Sequence, residues 1–257
     1  MFSIEHLNRL REYELSLIVP HLVGQGRILE IGGGSGIQAK RLSEAGCDIV
    51  SVDVRDSGYV DDRVFPVIDY DGRRLPFAND SFDIIFSSNV LEHIPHLDEF
   101  QVEIKRVLRP GGHCVHIMPT GAWRFWTSVA HYVEFLQRTG QVARQLVPGA
   151  LHPRVILSNT KNCFRQMVGV ARAYVVPPRH GETGNAVTEL YTFSRNRWIR
   201  HFRNNGYQVM EAKPMDLFYT GHMVLGARWS MKSRRFASRL LGSACVLYKV
   251  KPVSGES

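Results

Sequence analysis

The chain has 257 residues, 44% hydrophobic and 22% charged, a balance that excludes wholesale disorder and allows one sizeable core. Its net charge of +8 is uneven: residues 1–118 carry 12 Lys+Arg against 18 Asp+Glu, and residues 119–257 carry 20 against 6. The basic second half suits an anionic partner (nucleic acid, lipid headgroups or a phosphorylated substrate) or else a solvated basic surface. The widely spaced cysteines Cys47, Cys114, Cys163 and Cys245 show no metal-type pairing, so buried free thiols in a cytoplasmic protein are expected.

In chain order, residues 1–24 open with MFSIEHLNRLREYELSLIV, where Glu5, Glu12 and Glu14 interrupt the apolar residues. That is the pattern of an amphipathic helix, whereas a secretory signal has a basic start and an unbroken apolar stretch. No run has the length of a membrane span. RILEI then reads as a buried strand running into four glycines, Gly32, Gly33, Gly34 and Gly36. IQAKRLSEAG reads as a helix closed by Gly46, and CDIVSVDV as a second strand ending near Asp53. RVFPVI is a weaker strand and FDIIFSS a clear one. LDEFQVEIKRVLRPGG is an amphipathic helix stopped by Pro110 and Gly111–Gly112, and HCVHIM is a fifth strand. Strands and helices in alternation, with continuously apolar strands, predict an α/β fold: a doubly wound parallel sheet with helices on both faces. Such sheets bind ligands beyond the C-terminal strand ends, where the strand order reverses.

The glycines let the chain turn tightly out of the strand and let a ligand approach the backbone, while the next helix points its N-terminal amides at the same place. Asp53, closing the following strand, is placed to accept hydrogen bonds from a ribose. A dinucleotide-binding turn would read G-x-G-x-x-G, but the sixth position from Gly32 is Ile37. The pattern is instead acid-x-G-x-G-x-G, from Glu30 through Gly36.

That pattern resembles the seven-stranded class I methyltransferases that use S-adenosylmethionine. DGRRLPFANDSFDIIFSSNVLEHI and EIKRVLRPGG resemble the succeeding motifs of the ubiquinone/menaquinone-biosynthesis type, so the likeness covers residues 25–118 densely. The resemblance implies a mostly parallel seven-stranded sheet with an antiparallel last strand. It also implies roles: Glu30 and the Gly32, Gly33, Gly34, Gly36 turn at the methionine end of the cofactor, and Asp53 at the ribose. Asp71 and Gly72 would meet the adenine edge, and Ser88 and Asn89 the region near the sulfonium. A cationic sulfonium and ammonium favour carbonyl oxygens and acids over basic side chains, which agrees with the acidic first half.

His93, in NVLEHI, is a candidate catalytic base beside the cofactor's reactive end, or else a residue packed at a helix start. Some quinone-type relatives hold a divalent metal with acid-x-x-Glu-His. Asn89 stands in the acid's place here, so no metal site is expected. PPRHGETGNAVTELY brings His180, a second catalytic candidate, together with Glu182, Glu189 and Tyr191 in a polar loop suited to an acceptor pocket or to an ordinary surface turn. His113 and His116 alternate with apolar residues and are expected to be structural.

SRNRWIRHFRNNG, YQVMEAKP and ACVLYKVKP read as the last helix and the last two strands within residues 193–257. Two stretches remain, 119–192 and 214–242, both longer than ordinary connections and both basic, with 8 Lys+Arg against 3 Asp+Glu and 5 against 1. They are read as cap insertions of a single methyltransferase domain spanning 1–257. In AWRFWTSVAHYVEFLQR, residues Trp123, Phe125, Trp126, Val129, Tyr132, Val133 and Leu136 fall largely on one helix side, and RWSMKSRRFASRLLGS is basic and amphipathic. Such faces can meet a membrane surface or a lipid-linked substrate, or pack on the sheet as an ordinary cap.

The expected function is S-adenosylmethionine-dependent O-methylation of a small-molecule, glycan or lipid-linked acceptor, with an anionic group favoured by the basic cap. The alternative is a non-catalytic nucleotide-binding scaffold of the same fold. A nucleic-acid target is a lesser reading, since NVLEHI is not the Asn-Pro-Pro-Tyr type and no RNA-binding module is visible.

Overall fold

The computed structural model describes residues 4–144, 174–221 and 226–253. Helix α1 (Ile4–Leu22) precedes a seven-stranded sheet of order β3-β2-β1-β4-β5-β7-β6. Its strands are β1 (Arg27–Ile31), β2 (Asp48–Val54), β3 (Val67–Tyr70), β4 (Phe82–Ser88), β5 (Leu108–Pro119), β6 (Tyr207–Pro214) and β7 (Cys245–Pro252). β1 to β5 pair in parallel, and β7 lies antiparallel to both β5 and β6. The expected α/β architecture with an antiparallel last strand is therefore present. The order reverses between β1 and β4, so the carboxyl ends of these neighbours open a crevice.

The apolar periodicity explains the layers. On one face, Phe100, Ile104 and Val107 of α3 (Leu97–Val107) and Trp198 and Phe202 of α6 (Arg195–Asn204) pack on Leu29, Ile31, Val52, Phe82 and Ile85. On the other, Leu15, Ile18 and Leu22 of α1 and Ala39 and Leu42 of α2 (Ile37–Glu44) pack on Ile28, Ile49, Ile84 and Phe86.

Two boundaries differ from the sequence reading. RVFPVI contributes only its end to β3, because Pro66 has no N–H for a ladder; the preceding Val64 N–H instead donates to Ser35 O at 2.8 Å. β5 begins at Leu108 and runs through Pro110 and Gly111–Gly112, where its pairing with β4 shifts register between Phe82 and Ile84. A Cβ on Gly112 would lie 2.7 Å from Asp83 O, so glycine is what this irregularity requires.

The insertions also differ. Helix α4 (Gly121–Arg144) buries Trp123, Arg124, Thr127, Ala130 and His131, whereas Phe125, Val129, Tyr132 and Leu136 are exposed. The expected aromatic face is thus divided between core and surface. Residues 145–173, including Cys163, lie outside the described residues; Cys47, Cys114 and Cys245 are buried free thiols. Helix α5 (Thr188–Thr192) is tied to α4 by a fully buried ion pair, Arg124 Nε to Glu189 Oε2 at 2.7 Å. Helix α7 (Met231–Leu241) has Ser230 as its N-cap, accepting from Ser233 N–H at 3.1 Å.

Removing one member of a buried ion pair leaves the other as an uncompensated charge. Glu189→Ala is expected to lower unfolding stability by about 3–5 kcal/mol, measured by urea denaturation against wild type.

Candidate active site

The candidate cofactor cradle is built where β1 gives way to the glycine turn. Gly32 N–H and Gly33 N–H both donate to Val52 O, at 2.9 and 3.0 Å, so the turn folds back over β2. Gly32, Gly34 and Gly36 have φ of 76°, 55° and 75°, the left-handed region that glycine enters without strain. A Cβ on Gly32 would fall 2.3 Å from Val90 Cγ2, just past β4. Gly33 has a different reason. Its Cβ would lie 1.9 Å from Ser51 Oγ and 2.9 Å from Glu30 Oε2, so its missing side chain makes room for a buried pair beneath the turn and not for a ligand above it.

Glu30 is buried; its Oε2 accepts from Ser51 Oγ at 2.6 Å while its Oε1 has no hydrogen-bond partner among the described residues. Burial pushes the Glu30 carboxyl up to about 7, the Ser51 hydrogen bond opposes the rise, and the Asp53 charge adds to it. Asp53, at the end of β2, is already engaged: Oδ2 accepts from Gly34 N–H at 2.8 Å and Ser57 Oγ at 2.9 Å, and Oδ1 from Val54 N–H at 2.8 Å. A carboxylate offers about four acceptor positions, which leaves room for a ribose hydroxyl. The orphaned Glu30 oxygen and the Asp53 carboxylate fit a ligand carrying an ammonium and a ribose.

Asp71 Oδ1 accepts from Arg73 N–H and Arg74 N–H at 2.8 and 2.7 Å, and these bonds hold its carboxyl below the usual range. The neighbouring Gly72 turns with φ 76°. Asn89, at φ 55°, anchors its N–H on Ile117 O at 2.8 Å; its amide reaches Ser88 Oγ at 3.3 Å and accepts from Cys245 Sγ at 3.4 Å. The candidate cofactor residues thus gather at the carboxyl ends of β1, β2, β3 and β4.

The second cluster begins one turn later, in the 3-10 helix Leu91–His93. The Glu92 side chain is 1% exposed, and neither carboxylate oxygen has a hydrogen-bond partner among the described residues. His93 Nε2 and His180 Nε2 stand 3.8 and 3.7 Å from Glu92 Oε1. The two imidazole rings are 4.8 Å apart edge to face, and His180 rests against the Trp123 ring at 4.6 Å. Burial draws the His93 imidazole below its ordinary pKa, partly countered by Glu92. The two candidates from distant segments are therefore neighbours.

The rest of the polar loop has other tasks. Glu189 Oε1 accepts from His180 N–H and Gly181 N–H, both at 2.7 Å, and Arg124 Nη2 donates to Pro178 O at 2.7 Å. Glu182 N–H donates to Glu92 O at 2.9 Å. Tyr191 is exposed and accepts from Arg200 Nη1 at 3.3 Å, so it stands outside the cluster. His116 bonds Ser87 Oγ at 2.8 Å and stacks on Phe202, and burial draws it down to about 3, in keeping with a structural role. A groove of about 220 Å³ shares Glu92 alone with the cluster and is lined further by Asp98, Gly181, Glu182, Arg197 and Trp198. Trp123 and Arg124 were not expected at the site, and Glu92 was read only as the Glu of an acid-x-x-Glu-His pattern that Asn89 interrupts.

Residues 29–116 match the family model described as a methyltransferase domain. The match covers about a third of the chain, which over that stretch is similar to methyltransferase domains. An uncharacterized methyltransferase of Mycobacterium avium is 34% identical over 46% of this chain and 50% of its own length. A bifunctional biotin-biosynthesis protein of Cellvibrio japonicus is 28% identical over 55% of this chain and 30% of its own length. The chain thus spans half or less of these curated relatives. Two solved structures share the fold: a methyltransferase of Aquifex aeolicus (13% identity, 98% and 100% coverage of the two chains, TM-score 0.52) and the geranyl diphosphate C-methyltransferase of Streptomyces coelicolor (14%, 96% and 81%, TM-score 0.54). The narrower likeness to the quinone-biosynthesis type is not singled out by these comparisons.

Two outcomes test the cradle. Asp53→Ala is expected to weaken S-adenosylhomocysteine binding by about 1–3 kcal/mol in calorimetry, through lost charge-assisted hydrogen bonds. Glu30 protonated below about 7 cannot offset the ligand's ammonium, so wild-type affinity should fall as pH falls. A loss of roughly tenfold between pH 7.5 and 5.5 is expected, and Glu30→Gln should flatten the dependence.

Proposed function

We propose that the protein transfers a methyl group from S-adenosylmethionine to an oxygen of a small-molecule, glycan or lipid-linked acceptor bearing an anionic group. The observation that carries this is the pair of half-exposed imidazoles, His93 and His180, gathered on the buried Glu92 at the crevice beside the cradle. When bound, S-adenosylmethionine supplies an electrophilic methyl group on sulfur. Glu30, the Gly32–Gly36 turn, Asp53, Asp71 and Gly72 bind and orient it, and Ser88 and Asn89 close the site. His93 and His180 promote loss of the acceptor's proton, which an oxygen nucleophile needs and a carbon-bound displacement does not provide. Arg124 and Glu189 hold the loop that carries His180, and the groove beside Glu92, whose wall sets Arg197 among the acids Asp98 and Glu182, receives the acceptor.

The lipid-linked reading is supported by α7. Lys232, Arg235, Phe236, Arg239 and Leu240 recur at helical spacing on its exposed side, with Phe236 64% and Leu240 73% exposed. Basic residues interleaved with large apolar ones suit the surface of an anionic bilayer. No described helix is long and apolar enough to cross a membrane; the contact proposed through α7 is peripheral, at the inner face. The stretches 119–192 and 214–242 serve as cover for the acceptor within one methyltransferase unit.

The test is transfer of isotopically labelled methyl from S-adenosylmethionine to a panel of anionic sugars and lipid-linked phosphosugars, the latter presented in vesicles. Oxygen-methylated product is the expected result. His93→Ala is expected to lower turnover roughly 10²-fold or more while leaving S-adenosylhomocysteine affinity unchanged. Transfer to nitrogen or carbon alone, or full turnover in that variant, would remove the proposed role.

A further inference from the structure

Glu92 presents an unresolved balance of charge. A carboxylate with 1% exposure and, among the described residues, no hydrogen-bond donor on either oxygen is costly to bury unless a cation or donor reaches it. The polar groups facing it are the Nε2 atoms of His93 and His180, and they stand 3.8 and 3.7 Å away, beyond the 2.7–3.2 Å of a hydrogen bond. One ligand atom from each of Glu92, His93 and His180 lies within 4.8 Å of the other two. Oxygen and nitrogen ligands about 2.0–2.2 Å from a tetrahedral Zn²⁺ sit about 3.3–3.6 Å apart, so the imidazole-to-carboxylate gaps are those of ligands slightly relaxed from a shared ion. His93 and His180 are 42% and 35% exposed, so an ion can reach their Nε2 atoms from solvent.

We propose that Glu92, His93 and His180 form a divalent-cation site, completed by the inserted segment that carries His180. The ligand chemistry indicates the ion. Two imidazoles and one carboxylate suit Zn²⁺ or a similar transition-metal ion, whereas Mg²⁺ and Ca²⁺ take oxygen ligands. Three protein ligands leave a fourth position open, as in catalytic zinc sites. Asn89 is not part of the set, since its amide is occupied by Ser88 and Cys245. The support behind the ligands is already built: Glu189 fixes the His180 and Gly181 amides, Trp123 packs on the His180 ring, and Glu182 N–H holds the Glu92 carbonyl. As a binding site the proposal stands alone; its role in catalysis rests on the methyl-transfer reading. There, an acceptor hydroxyl in the open position would release its proton to water, and its oxygen would then attack the methyl carbon as the carbon–sulfur bond breaks toward sulfur.

The test is titration of chelator-stripped full-length protein with Zn²⁺ by calorimetry, and with Co²⁺ by visible absorption. One ion per chain is expected, with affinity reduced at least tenfold in each of Glu92→Gln, His93→Ala and His180→Ala, and unchanged in His96→Ala. Circular dichroism and S-adenosylhomocysteine binding check that each variant folds; should Glu92→Gln fail to fold, the two histidine variants decide. No bound ion at micromolar metal, or binding that survives both histidine substitutions, would overturn the site. Zn²⁺ binding without S-adenosylhomocysteine binding in the wild type would overturn the methyltransferase reading and leave the metal site standing. The converse result would overturn the metal site alone.

Discussion

The close approach of Gly32 to Val90 governs the geometry of the crevice. With no room for a Cβ between them, the turn after β1 and the turn after β4 are pressed together, and the separation between the cradle and the His93 segment is set by the Val90 side chain packed on the Gly32 backbone. Methyl transfer is sensitive to such separations, because the methyl carbon must lie within reach of its nucleophile and in line with the bond that breaks. Beneath this contact, Ser51 and Glu30 fill the space vacated by Gly33, so the turn is supported from below as well as from the side. Asp53 completes the arrangement by tying Gly34 to the end of β2.

A second constraint acts on the other wall. His180 belongs to a connecting segment, which would ordinarily be among the more mobile parts of a fold. Here the buried Arg124–Glu189 pair holds residues 178–181 through three backbone groups: the Pro178 carbonyl and the His180 and Gly181 amides. Burying two opposite charges gives little net stability compared with an apolar pair. What the pair contributes is placement, and the residue it places is the imidazole facing Glu92.

Much of this was legible in the sequence. RILEI, FDIIFSS, YQVMEAKP and ACVLYKVKP correspond to strands because runs of apolar and β-branched residues between turn signals leave little choice. The cradle was legible because its parts are close in sequence and each carries a motif. The partition of α4 was not. Its aromatic residues could be counted, but Arg124 and His131 face inward because their partners come from later segments that no periodicity reveals. The pairing of Glu92 with His180 was hidden for a similar reason: NVLEHI shows an acid beside one histidine, while the second histidine arrives from far along the chain.

The strand order has a consequence for how the molecule comes into being. β6 joins the sheet only through β7, and β7 lies between β6 and β5. During synthesis, β1 to β5 can pair as they emerge, but β6 has no neighbour until residues 245–252 have left the ribosome and inserted themselves. Until then the exposed edge of β5, with its row of unpaired amides and carbonyls, is open to pairing with another nascent chain. The antiparallel strand is therefore also the step that protects the growing polypeptide from aggregation.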